Sequence, residues 1–177
     1  MAAALQESRQ QVERLAGLLW QTLPSERPTS WLTQRQLMDR LQEEVSRAER
    51  YGTPLTVVLG QLAGPVGAGP EPVSPWVAER IGRAKRRCDV AGPYGPHGFL
   101  LLLVHTAESG AVACCRRLRD VLSRPSGPGE DLRGPVRPYF GIAGYSKAVS
   151  SANRLLRLAE QHLEAAKTER GGLVVAV

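Results

Sequence analysis

Residues 86–104 read RRCDVAGPYGPHGFLLLLV: an Arg-x-x-Asp pair, a five-residue spacer, a glycine-bounded turn (Gly95-Pro96-His97-Gly98) and an apolar run that begins at Phe99. The run is well short of the roughly 20 apolar residues that span a membrane. It is also too continuous for a half-exposed strand, so it predicts a central strand covered on both faces and entered through a hairpin turn. Arg86 and Asp89 are expected to close the preceding helix, and the turn to present its residues at the rim of the sheet, where sites are commonly built.

Working outward, 177 residues with 42% hydrophobic content suffice for one domain with its own core. Aromatic residues make up only 5%, so that core must be aliphatic. The net charge of +6 favours anionic partners: nucleotides, nucleic acid, acidic protein faces or anionic lipid. The arginines look scattered along helices, and no basic stripe with interleaved aromatics appears, so no nucleic-acid partner is expected. Cys88, Cys114 and Cys115 have no metal-ligand spacing, and no metal or cofactor is expected. Unpaired cysteines fit a reducing compartment. With neither a signal-peptide pattern nor a membrane span, the expectation is a soluble cytoplasmic protein without membrane insertion.

Residues 2–23 read as an N-terminal helix, with Leu5, Val12, Leu15 and Leu19 near a heptad seam. The seam is short for an autonomous coiled coil, so the helix either docks on its own domain or pairs with a second copy as a homodimer. Residues 24–30 are a linker by composition, and 31–177 form the main domain. There, a helix over about 33–50 buries Leu37, Leu41, Val45 and Ala48, and LTVVLGQL (55–62) is a strand. Ser74 and Pro75 start a helix whose inner face is Val77, Ile81, Ala84 and Cys88. Thr106 is expected to cap a helix to Leu122 with Ala111, Cys115, Leu118 and Leu122 inward. PYFGIAGY is a strand, Ser150 or Ser151 caps a last helix, Gly171-Gly172 ends it, and LVVAV closes the chain as a strand. The order β-α-β-β-α-β-α-β predicts a ferredoxin-like α/β sheet of about five strands flanked by helices.

Several segments in this order resemble the GGDEF domain of bacterial diguanylate cyclases over about 32–177: SRAERYGTPLTVVL, RRCD five residues ahead of the turn, YGPHGFLLLL at the signature hairpin, FGIA, and AEQHLEAAK. The resemblance implies a nucleotide-signalling domain of the enzymes that join two GTP molecules into cyclic di-GMP. In that family, acidic residues of the hairpin and an Asp at the end of the first strand hold divalent metal, for which oxygen donors are suited. Here Gly95, Pro96, His97, Gly98 and Phe99 stand where the signature would be, and Gln61-Leu62-Ala63 replaces the Asp-x-Asp. The substrate loop is rebuilt as AGPVGAGPEPVSP. These departures lead to the expectation of a degenerate domain with no catalytic residues, not an enzyme.

The Arg-x-x-Asp pair keeps the family's distance from the turn, which implies a cyclic di-GMP site of the inhibitory type, formed by Arg86 and Asp89 with Arg117 from the next helix. A guanidinium can donate to guanine O6 and N7 while a carboxylate accepts from the ring N–H and amino group. Arg117 and Asp120 repeat the pattern, so a surface ion pair is the competing explanation for such a motif. Lys167 matches the family's phosphate-binding lysine, or complements a helix C-terminus. The expectation is a cyclic di-GMP receptor in a signalling pathway with a protein partner. The alternative is a ligand-independent interaction or dimerisation module.

Overall fold

The computed structural model describes residues 31–64, 73, 75–95, 97–124, 136–168 and 173–175. The helix expected over 2–23, the linker 24–30, Ser74, Pro96, Gly171-Gly172 and the bulk of both Gly/Pro-rich loops lie outside them.

The elements are α1 (Gln34–Tyr51), β1 (Leu55–Ala63), α2 (Pro75–Ala84), β2 (Val90–Pro93), β3 (Gly98–Val104), α3 (Glu108–Leu122), β4 (Arg137–Gly144), α4 (Ala152–Thr168) and β5 (Leu173–Val175). Helix α1 starts at a capping box. The Thr33 hydroxyl accepts from the Gln36 backbone N–H at 3.3 Å, and the Gln36 side chain accepts from the Thr33 N–H at 3.0 Å. It stops at Gly52, whose φ of 64° suits glycine and lets its N–H reach the Ala48 carbonyl.

The five strands lie in the order β2-β3-β1-β4-β5, antiparallel except for the β4–β5 pair. All seven residues of β3 are buried, as the Leu run predicts. The central strand, however, is β1, because it is β1 that pairs with both β3 and β4. Side chains alternate along these strands and so feed two cores. Val58, Leu62, Leu101 and Leu103 pack with α2 and α3, whereas Val57, Leu59, Leu100 and Leu102 pack with α1 and α4. The outer edge of β2 is partly covered by the chain before α1. There the Leu32 N–H donates to Ala91 O at 2.9 Å, and the Trp31 indole donates to Ala78 O at 3.2 Å.

Two local expectations change. Helix α2 ends at Ala84, so Cys88 lies beyond it and is exposed rather than on its inner face. Helix α3 begins at Glu108 with Ala107 at its N-cap. Thr106 does not cap it, because its hydroxyl donates back to Val104 O at 2.9 Å. Instead, Glu108 accepts from the Gly144 N–H at 2.8 Å, tying the first turn of α3 to β4. Ser151 does sit before α4 as expected, accepting from the Arg154 N–H at 3.3 Å.

Gly141 is where α4 crosses β4. A Cβ there would run into the backbone of Ala159 and Leu163, which cannot swing aside as a side-chain tip can. Gly141→Ala should therefore cost about 1–3 kcal/mol, the usual range for overpacking. A urea midpoint equal to that of the parent would contradict this account of the α4 contact.

Candidate functional site

The chain leaves α2 through a tight turn whose lock is Asp89. Its carboxylate is buried, 5% exposed, and Oδ2 accepts from the Arg86 backbone N–H at 2.9 Å. In return the Asp89 N–H donates to Arg86 O at 3.2 Å, and Lys85 Nζ donates to Asp89 O at 3.0 Å. Arg86 and Asp89 therefore do not share a helix face, as i, i+3 spacing would have placed them. Asp89 turns inward to hold the turn, and the Arg86 side chain is left exposed. Asp89 Oδ1 receives a weak thiol contact from Cys88, at 3.9 Å.

Arg117 reaches this turn from α3. Its Nη2 donates to Ala84 O at 3.3 Å, satisfying a carbonyl at the end of α2 and fixing the guanidinium beside the turn. Burial pushes the Cys114 thiol up; Arg117 opposes the shift by charge and hydrogen bond, Asp89 adds to it and Arg86 opposes it. The charges of Arg86, Asp89 and Arg117 are thus all felt at the buried Cys114 thiol, and Arg117 rests at the end of α2, five residues before Asp89.

The glycine-bounded turn is built for tight backbone passage. Gly95 and His97 have φ of 62° and 57°, and the Tyr94 N–H closes the turn on Gly98 O at 3.0 Å. A Cβ at Gly98 would strike the carbonyls of Tyr94 and Gly60, so only glycine fits. His97 is exposed, and Phe99 belongs to the core, meeting Phe140 edge-on at 6.3 Å between ring centroids.

Beside the turn lies a cavity of about 360 Å³, lined by Leu59, Gly60, Gln61, Tyr94, Gly95, Gly98, Glu160, Leu163 and Glu164. Its carboxylates come from α4, not from the turn. Tyr94 Oη donates to Glu160 at 2.6 Å, and Lys167 Nζ pairs with Glu164 at 2.6 Å. Lys167, read either as a phosphate ligand or as a complement to the helix C-terminus, is thereby engaged on its own helix. Among the described residues no group of three or more His, Cys, Asp or Glu side chains is gathered closely enough to hold a metal ion. The donors at this turn do not fit the hard divalent cation that the resemblance implies.

No protein-family profile matches the sequence, and no curated protein does. Solved structures do. The chain is similar to the GGDEF domain of YfiN from Pseudomonas aeruginosa, with 21% identity, 85% of this chain and 99% of that chain covered, and a TM-score of 0.73. It is similar to the coiled coil and GGDEF domain of DgcB from Caulobacter crescentus in complex with cyclic di-GMP, at 21% identity, 99% and 98% coverage and TM-score 0.72. It is also similar to the active GGEEF domain of a diguanylate cyclase from Vibrio cholerae, at 16% identity, 80% and 94% coverage and TM-score 0.70. The fold is that of a GGDEF domain.

This finding corrects the expectation that the chain is not an enzyme. The domains sharing its fold include diguanylate cyclases, one of them active, so this fold gives no ground for excluding an enzyme. As for the membrane, no helix among the described residues is long and apolar enough to cross one.

The cavity residues Tyr94, Glu160 and Glu164 escaped the sequence reading. Glu160 and Glu164 are four apart on one helix face, a signal present in the sequence, but the bond of Tyr94 to Glu160 joins residues 66 apart. The Tyr94 hydroxyl is pushed far up by burial, by its hydrogen bond to Glu160 and by that carboxylate's charge. Its neutral form is favoured in the folded state, so the associated stability is full below pH about 10 and is lost as pH rises further. In an absorbance titration one of the four tyrosines should ionise after the others, and Tyr94→Phe should remove that late component. Four tyrosines ionising together would contradict the Tyr94–Glu160 bond.

Proposed function

We propose that the chain binds cyclic di-GMP at the turn joining α2 to β2, through Arg86, Asp89 and Arg117, and acts as a signalling module that passes its state to a protein partner. The observation that carries this reading is the anchoring of Arg117 on Ala84 O, which sets a second guanidinium beside Arg86 and the Asp89 carboxylate. Arg86, exposed to solvent, can donate to guanine O6 and N7 in bidentate fashion. Asp89 has one carboxylate oxygen committed to the turn, which leaves Oδ1 as the acceptor for a guanine N–H. Arg117 supplies charge for a phosphate. The match to DgcB, a structure containing this dinucleotide, supports the choice of ligand.

Cyclic di-GMP should bind the whole chain saturably in a calorimetric titration. Arg86→Ala should weaken binding about 10- to 150-fold, the equivalent of about 1.5–3 kcal/mol for a hydrogen bond involving a charged group. Saturable binding that is indifferent to Arg86→Ala, or no binding by the parent, would contradict the assignment. Asp89→Ala should behave differently. Beyond weakening the ligand it should lower folding stability by about 1–3 kcal/mol, because it strips the Arg86 N–H of its acceptor.

A further inference from the structure

The arginines that look scattered in the sequence are gathered by the fold. The segments Pro75–Asp89 and Glu108–Arg124 carry nine Arg or Lys against four Asp or Glu, a net +5 out of the whole chain's +6. Both segments cover the same face of the sheet, the one opposite α1 and α4. They also pack directly on each other. Arg80, stacked on Trp76 at 5.1 Å, donates to the carbonyls of Val121 and Arg124 at 2.8 and 3.0 Å, and Arg117 donates to Ala84 O. These contacts run antiparallel along the two helices and hold the outer arginines in one layer. Arg83, Arg87, Arg116 and Arg124 are exposed on it, together with Arg86 and Arg117. Arg83 pairs with Glu79, but both are largely exposed, and such a pair holds the guanidinium only weakly.

We propose that this α2–α3 layer docks on the phosphate backbone of duplex nucleic acid, without reading its sequence. Charge complementarity is the first argument, since a concentrated cationic face gains by releasing counterions from a polyphosphate. Residue type is the second. Eight of the nine cations are arginine, whose planar fork matches phosphate in bidentate fashion. The third is the absence of apolar anchors. The large hydrophobic residue exposed among the described residues is Tyr51, on α1 across the sheet, so the layer offers neither the aromatic core of a protein interface nor the side chains that insert into a lipid surface. Trp76, the aromatic ring within the layer, is covered by Arg80, which leaves no stacking platform for single strands.

The test is fluorescence anisotropy of a labelled 20-base-pair duplex of arbitrary sequence titrated with the whole chain at several salt concentrations. The expected result is saturable binding at low salt that weakens linearly on a log–log plot, with a slope of about −0.9 per phosphate contacted. The triple variant Arg83→Glu/Arg116→Glu/Arg124→Glu should bind the duplex at least tenfold more weakly, and circular dichroism should show it folded, since all three side chains are exposed. Because the variant leaves Arg86, Asp89 and Arg117 in place, its cyclic di-GMP titration reports on the turn separately. Absence of duplex binding by the parent, equal binding by the variant, or binding to phosphatidylserine vesicles but not to the duplex would each overturn the proposal.

Discussion

The buried carboxylate of Asp89 is the constraint on which the site depends. A carboxylate removed from water must find donors, and this one finds the backbone N–H of Arg86. That single bond converts what could have been another helical turn into a reversal. It ends the path of α2, sends the chain into β2 at Val90, and leaves the Arg86 side chain pointing to solvent. The return bond from the Asp89 N–H and the Lys85 ammonium on the Asp89 carbonyl complete the closure. Arg117 then has a fixed carbonyl, that of Ala84, against which to rest.

Two regions of potential chemistry follow from the same sheet, and they differ in sign. At the α2–β2 turn guanidinium groups dominate. At the glycine-bounded turn, carboxylates from α4 face the cavity, one of them holding Tyr94 in its neutral form. Charge favours anionic ligands at the first over the second. The GGDEF fold is nonetheless intact around the second, with β1 and β3 paired from Leu55 to Gln61 and α4 seated on β4 through Gly141.

Much of this architecture can be read in the chain. The run from Phe99 to Val104 announces a doubly covered strand, glycines and prolines mark the breaks, and each helix shows its buried stripe. What could not be read is where local pattern and tertiary demand diverge. The spacing of Arg86 and Asp89 looks helical, but spacing says nothing of which way a carboxylate turns when burial is at stake. The spacing of Cys88 continues the apolar stripe of a helix that stops four residues earlier, because Ala84 carries no stop signal of its own. The arginine layer is invisible in sequence because its two halves are separated by a hairpin and meet only when α2 and α3 pack. The Tyr94–Glu160 bond is hidden for the same reason.

The central claim, that ligand recognition lies at the α2–β2 turn and not in the cavity beside the glycine turn, is tested most directly by amide hydrogen exchange with and without cyclic di-GMP. Added dinucleotide should slow exchange over residues 84–91 and 113–118 while leaving 94–98 and 160–164 unchanged. Protection confined to the second pair of segments, or no change anywhere at saturating dinucleotide, would contradict it.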